Sequence, residues 1–186
     1  MSMKFTRRAI CLLVASMLAM AATARQGKAA SAGEIEADVD ATLSRFYRHV
    51  TGSQDLASRA AGVLVFPSII KAGIGIGGEY GEGALRIRGK TAGYYNSISA
   101  SVGFQLGVQA RSVIIMFMSD DALGRFRRRD GWKVGVDGSV ALITLGAGGA
   151  LDTNQINKPV IGFILDEKGL MYNLTLEGSK ISRIRR

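Results

Sequence analysis

The chain has 186 residues, of which 24 are glycine, 2 are proline and 47% are hydrophobic, enough for one domain with a sizeable core. Glycine in excess with almost no proline excludes a disordered, linker-like chain and points to a compact β-rich one. The formal charge of +9 predicts attraction to anionic surfaces without saying which.

The first residues stand apart from the rest. Lys4, Arg7 and Arg8 precede an apolar stretch of small residues over 9–24, which closes on Ala22-Thr23-Ala24, the pattern of a cleaved export signal. That stretch is shorter than the roughly twenty residues needed to cross a bilayer, so cleavage is expected rather than anchoring. Thr6-Arg7-Arg8 also fits a twin-arginine leader loosely, and the route is left open. Removing residues 1–24 takes away three positive charges and leaves 21 basic against 15 acidic residues, a charge of +6. The single cysteine, Cys11, lies inside the signal, so the mature chain has no disulfide, thiolate metal site or cysteine nucleophile. An exported chain is expected in the periplasm or outer envelope, or secreted, where nucleic acid is not a partner. His49 is the only histidine, and no cofactor or metal is expected.

Residues 25–33 read as a flexible leader and 34–186 as one domain. Over 34–50, Ile35, Val39, Leu43, Phe46, Tyr47 and Val50 recur at helical steps, with acids early and Arg45, Arg48 and His49 late. Ser53 predicts the cap of a second short helix over 54–61, stopped by Gly62. The run 63–66, bounded by Gly62 and Pro67, predicts a buried strand. The alternation Gly73-Ile74-Gly75-Ile76-Gly77 follows, with isoleucines on one face and glycines on the other. A glycine face lets a second backbone approach closely.

Gly73, Gly75 and Gly78 also satisfy G-x-G-x-x-G. A dinucleotide site needs a helix to begin there, and Gly77, Gly78, Gly81 and Gly83 would each cost that helix roughly 1 kcal/mol. The position about twenty residues on, where an acid would meet the ribose, holds Ser97, Ile98 and Ser99. Sheet glycine is the better account.

Further strands are expected over 84–88, 94–109 and 112–118, then a helix capped by Ser119 with Ala122, Leu123 and Phe126 on its apolar face. Hairpins are expected around Asp137-Gly138, joining 132–136 to 139–145, and around 166–169, joining 158–165 to 170–176. Residues 146–153 read as a glycine-rich loop or loose strand, and 179–184 as a closing strand. The fold class is α+β: a compact β-rich domain of many short, mostly antiparallel strands, barrel- or sandwich-like, with N-terminal helices and one mid-chain helix. Runs that are apolar on both faces argue against an outer-membrane barrel.

Several motifs in unbroken order resemble the SYLF domain family. They are Val65-Phe66-Pro67, Lys71-Ala72-Gly73, Gly77-Gly78-Glu79-Tyr80-Gly81-Glu82-Gly83, Gly93-Tyr94-Tyr95-Asn96 and Gln105-Leu106-Gly107. Further on come Asp130-Gly131-Trp132, Gly135-Val136-Asp137, Leu151-Asp152-Thr153, Asn157-Lys158-Pro159-Val160, Lys168-Gly169-Leu170 and Leu176-Glu177-Gly178. The similarity covers about residues 60–184 and is nearest the exported bacterial branch. It implies a lipid-binding module with no catalytic role. Eukaryotic members recognise phosphoinositides, partly through an amphipathic N-terminal helix, and some bind actin. For an exported chain the implied ligands are phosphatidylglycerol, cardiolipin or lipid A.

Candidate lipid-binding residues are Arg125, Arg127, Arg128 and Arg129 at the end of the mid-chain helix, because guanidinium forks match phosphate oxygens. A solvated helix end that complements the dipole is the plainer reading. Arg86 and Arg88, expected on one strand face, and Lys90 make a second strip. Lys71, alone in an apolar stretch, wants Glu79, Glu82 or a phosphate as partner. Phe46, Tyr47 and Val50 are candidates for membrane insertion, against the commoner fate of core packing. Asp137 suits turn geometry. Asp152, Asp166 and Glu167 show no spacing that selects glycosidic hydrolysis. The expected function is a non-enzymatic, exported protein that associates with an anionic phospholipid surface, its protein partners unknown. The alternatives are a soluble lipid carrier and an envelope structural or host-facing protein with incidental lipid affinity.

Overall fold

The structure is a computed structural model that describes residues 29–143, 156–166, 169–170, 176 and 178–186; for 72–76, 101–108, 166 and 169–170 it describes backbone alone. The expected export signal, the glycine-rich stretch 146–153 with Asp152, Glu167, and most of the strand over 170–176 lie outside the described residues. Ser31–Arg186 form one compact unit. This unit carries its own buried core and pairs its described strands internally, which is what independent folding requires.

Helix α1 (Ala32–His49) starts where Ser31 caps it. The Ser31 hydroxyl accepts from the Glu34 amide at 3.3 Å, and the Glu34 carboxylate accepts from the Ser31 amide at 2.7 Å, a reciprocal capping box. Ile35, Val39 and Phe46 of the predicted stripe are buried. Helix α2 (Ser53–Arg59) is capped by Gly52 rather than by Ser53, whose hydroxyl donates instead to the Phe46 carbonyl. Helix α3 (Asp120–Arg128) begins at Ser119 and buries Ala122, Leu123 and Phe126, as its pattern predicts.

The sheet contains β1 (Gly62–Ile87), β2 (Lys90–Phe117), β3 (Trp132–Lys133), β4 (Ala141–Leu142), β5 (Val160–Asp166), β6 (Gly169–Leu170) and β7 (Lys180–Ile184). Its path runs β3-β7-β2-β5-β4, with β1 also on β2 and β6 on β5. Every pairing except β4–β5 is antiparallel, and the sheet curls into a half-barrel. The α+β class holds, but two strands of 26 and 28 residues replace several short ones. Glycine does not end them because each has a continuous partner. Gly73 pairs with Gly107 and Gly75 with Gly103, and irregularities at 66–69, 73–75 and 85–86 bend the ribbon. Pro67 sits in the first of these, where its missing amide is tolerated. Its carbonyl accepts from the Ser112 hydroxyl at 2.6 Å, which in turn accepts from Arg45 of α1 at 2.6 Å.

The ribbon turns at Arg88 and Gly89, both at positive φ (50° and 75°), the conformation of a two-residue hairpin turn. It then coils until the end of β1 lies on its own beginning. A Cβ at Gly81 would come to 2.6 Å from the Ser68 carbonyl, and one at Gly83 would overlap the Val65 carbonyl. Close backbone approach thus occurs at Gly81 and Gly83, beyond the 73–77 face for which it was expected and of which 73–76 are described by backbone alone.

Two apolar layers result. On one face Leu64, Phe66, Leu85, Val113, Ile115, Phe117 and Ile181 pack with α3 and Trp132. On the other, Phe46 of α1 meets Phe163 at 4.7 Å between ring centroids, and Phe163 lies opposite Ile114. The expected hairpin around Asp137-Gly138 does not form. Trp132–Lys133 pair with β7 and Ala141–Leu142 run parallel to β5, while the Asp137 carboxylate turns back to the Lys133 amide at 2.8 Å. The turn residues serve a local loop because both flanking segments find better partners elsewhere. The second hairpin does form, with Leu165 opposite Leu170 and Asp166 opposite Gly169.

Candidate functional site

Of the membrane-insertion candidates, Phe46 and Val50 are buried to within 1% and Tyr47 is half-buried beside Phe46. The stripe is core, so α1 has no such face to offer a membrane.

The predicted cations divide into neutralised and free ones. Arg86 lies across α1, 2.7 Å from Asp40 and 3.7 Å from Glu36, and donates to Thr91 at 2.6 Å. It is a strut between ribbon and helix. Arg88 does not share its strand face, because Arg88 occupies the turn. Lys90, just beyond, is exposed. Lys71 is half-buried across from Gln109 and has neither expected partner: Glu79 pairs with Arg111 at 2.6 Å and Glu82 with Arg186. Of the helix-end cluster, Arg125 pairs with Asp121, and Arg129 with Asp137 at 2.7 Å. Arg127 and Arg128 are exposed and have no ion pair among the described residues.

Among the described residues, a group of exposed cations without an ion pair lies around the β3–β7 edge of the sheet. There α3 contributes Arg127 and Arg128, β3 contributes Lys133, and β7 with the residues after it contributes Lys180, Arg183 and Arg185. All six are exposed. The order β3-β7-β2 and the short connection from α3 into β3 bring them together. The Arg183 guanidinium lies along Gly93, where a Cβ would come to 3.3 Å from its Nε. An open cleft of about 920 Å³ beside it is lined by Arg183, Arg185, Thr91 and Tyr94, with Asp130 and Glu36 as its acids.

Burial pushes the Tyr95 phenol above its ordinary range, against the opposing pull of Arg183 and Arg127. At the cleft wall the Tyr94 hydroxyl donates to Glu36 at 2.6 Å. That bond, with help from Thr91 and Arg86, holds the Glu36 carboxyl below its usual value; it also pushes Tyr94 up, against the opposing pull of Arg86. Among the described residues no cluster of three metal-ligating side chains occurs. The arrangement offers unpaired guanidinium and ammonium groups to an anion.

Lys133, Lys180, Arg183 and Arg185 escaped sequence reasoning. For the last three the signal was present in the alternation Lys180-Ile181-Ser182-Arg183-Ile184-Arg185-Arg186, a basic strand.

Comparison with protein families matches residues 98–185 to the family described as Ysc84, Las17-binding protein actin regulator. Comparison with curated proteins gives no match. The matched stretch contains these six cations and most of β2.

Proposed function

We propose, from the premise that residues 98–185 carry a SYLF domain, that this chain is an exported, non-enzymatic protein that binds anionic phospholipid surfaces of the cell envelope. The family is associated with lipid and actin-regulator binding, and the lipid half of that association is the one this surface supports. The observation that carries the reading is the gathering of six exposed, unpaired cations at one sheet edge, inside the matched stretch. At about 1 kcal/mol for each basic residue near an anionic leaflet, and with Lys180 opposite Ile98 and Arg183 opposite Tyr95 on the other sheet face, the charges that reach one leaflet supply less than about 6 kcal/mol, weaker than tens of micromolar. Such binding falls steeply as salt screens the charges.

The test is sedimentation of the Ser31–Arg186 unit with vesicles of phosphatidylcholine alone or with phosphatidylglycerol added, across a salt series. Binding is expected to acidic vesicles only and to weaken with salt. Equal partition into neutral vesicles, or none into either, overturns the reading. Cosedimentation with actin filaments in place of acidic vesicles replaces it.

A further inference from the structure

The sheet face that carries α1 extends past the helix and, among the described residues, is uncovered where β3, β7, β2 and β1 lie side by side. The register sets Lys133 opposite Lys180, Lys180 opposite Ile98, and Ile98 opposite Tyr80. Directly opposed residues on antiparallel strands project to the same side, roughly 5 Å apart. The four therefore form one row across four strands, about 14 Å long. All are exposed, Ile98 by 49% and Tyr80 by 47%. Tyr94, four residues back on the same face of β2, is where α1 makes contact through Glu36.

The fold accounts for only part of this row: the Tyr80 hydroxyl donates to Glu82 at 2.5 Å, which fixes its polar tip and leaves its ring and Ile98 exposed. Tyr80 and Ile98 stand beside each other in water, although Ser97 and Tyr95 of the same strand are buried on the opposite face. Like charges directly opposite on paired strands are destabilising, and neither lysine has an ion pair among the described residues. Asp137 accepts the Lys133 amide, but its other oxygen takes Arg129 at 2.7 Å. The Lys180 side chain lies over Gly131. A cation pair that repels in the free protein is relieved by a shared phosphate. An exposed aliphatic and an aromatic beside it suit the headgroup–acyl boundary, where tyrosine sits with its ring in lipid and its hydroxyl in water.

We propose that this row is the element that enters an anionic bilayer, with Tyr80 and Ile98 inserting below the headgroups while Lys180 and Lys133 hold lipid phosphates beside them. The proposal rests on the lipid reading above and adds the apolar contact that charge alone does not supply. The occupant is a membrane surface because the cations and the apolar pair are contiguous. A soluble phosphate leaves Tyr80 and Ile98 in water.

The Ser31–Arg186 unit contains no cysteine, so Ile98→Cys carries a single environment-sensitive fluorophore, and Asp38→Cys on the exposed side of α1 is the control. With phosphatidylglycerol vesicles the label at 98 is expected to brighten and shift to the blue. The label at 38 is expected to stay unchanged, as are both labels with phosphatidylcholine alone. Tyr80→Ser with Ile98→Ser weakens binding by about tenfold or more, the worth of burying half-exposed side chains of this size. Lys133→Gln and Lys180→Gln each weaken it about fivefold. A silent label at 98 while the unit still sediments with acidic vesicles overturns this inference and leaves the lipid reading standing. Absence of sedimentation overturns both. Equal shifts at 98 and 38 overturn the inference, and so does a shift without vesicles that grows with protein concentration, which assigns the face to a second copy of the chain.

Discussion

Residues 112–117 and 94–100 belong to one strand and meet different surroundings. In the first stretch Val113, Ile115 and Phe117 pack toward α3, while Ile114 and Met116 face the layer that holds Phe46 and Phe163, so both faces are core. In the second, Tyr95 and Ser97 are buried, whereas Ile98 and Ala100 on the other face are exposed. An apolar side chain in β2 thus means packing in one half and an open surface in the other. What separates the halves is the length of α1, which covers one end of the coiled ribbon and stops before the other.

The contrast breaks most sharply at the crossing that closes the ribbon. Gly83→Ala forces a Cβ into the Val65 carbonyl and is expected to destabilise by about 3 kcal/mol or more, seen as a large drop in the urea midpoint. Gly78→Ala, on the bare face with its nearest neighbour at 3.7 Å, is the matched control and is expected to be neutral or slightly stabilising. Comparable in size is Phe46→Ala, which empties the packing against Phe163 and costs about 3–5 kcal/mol. Ile98→Ser, equally a loss of an apolar side chain, is expected to stay within about 0.5 kcal/mol. A large loss at Ile98 would mean that the bare face is covered in solution.

Next comes Arg111→Ala, which leaves Glu79 with 10% side-chain exposure and no countercharge. Leaving a carboxylate buried alone is costly, and about 2 kcal/mol is expected here because the pair keeps some solvent. Arg127→Ala, an exposed cation, is expected to leave stability unchanged and to lower acidic-vesicle binding about fivefold.

The smallest effect is a pH dependence. The depressed Glu36 value contributes stability that is complete above the ordinary 4.5 and is lost as pH falls through the lower folded value. The raised Tyr94 value acts in the opposite sense, present below the ordinary 10.0 and lost as pH rises through it. Tyr94→Phe removes the Tyr94 effect and the largest cause of the Glu36 one, leaving Thr91 and Arg86, so a series of thermal melts against pH should flatten slightly at the alkaline limb and less at the acid limb.

The local signals in this chain were legible because they depend on neighbours in sequence. Ser119 caps its helix as its position predicts, most of the α1 stripe is buried, and the runs 63–66 and 113–117 are core, whereas Ser31 caps α1 from within the stretch expected to be a flexible leader. The rest needed the third dimension. The glycine face was visible over 73–77, but where a backbone would fill it was not, since Gly83 meets Val65 only after the ribbon coils. Asp137-Gly138 carries a hairpin signature and makes no hairpin, because β7 and β5 compete successfully for the flanking residues.

The arginines show the same division. Composition determined that this protein is basic, and periodicity determined which stretches are helix and strand, because both follow from residue type and spacing. Which charges are free was decided by tertiary structure alone. Arg86 and Arg127 look alike in a row of letters, yet one is spent on Asp40 and the other faces water. Ion pairing depends on what lies across a sheet or a helix, a distance the chain settles only when it folds.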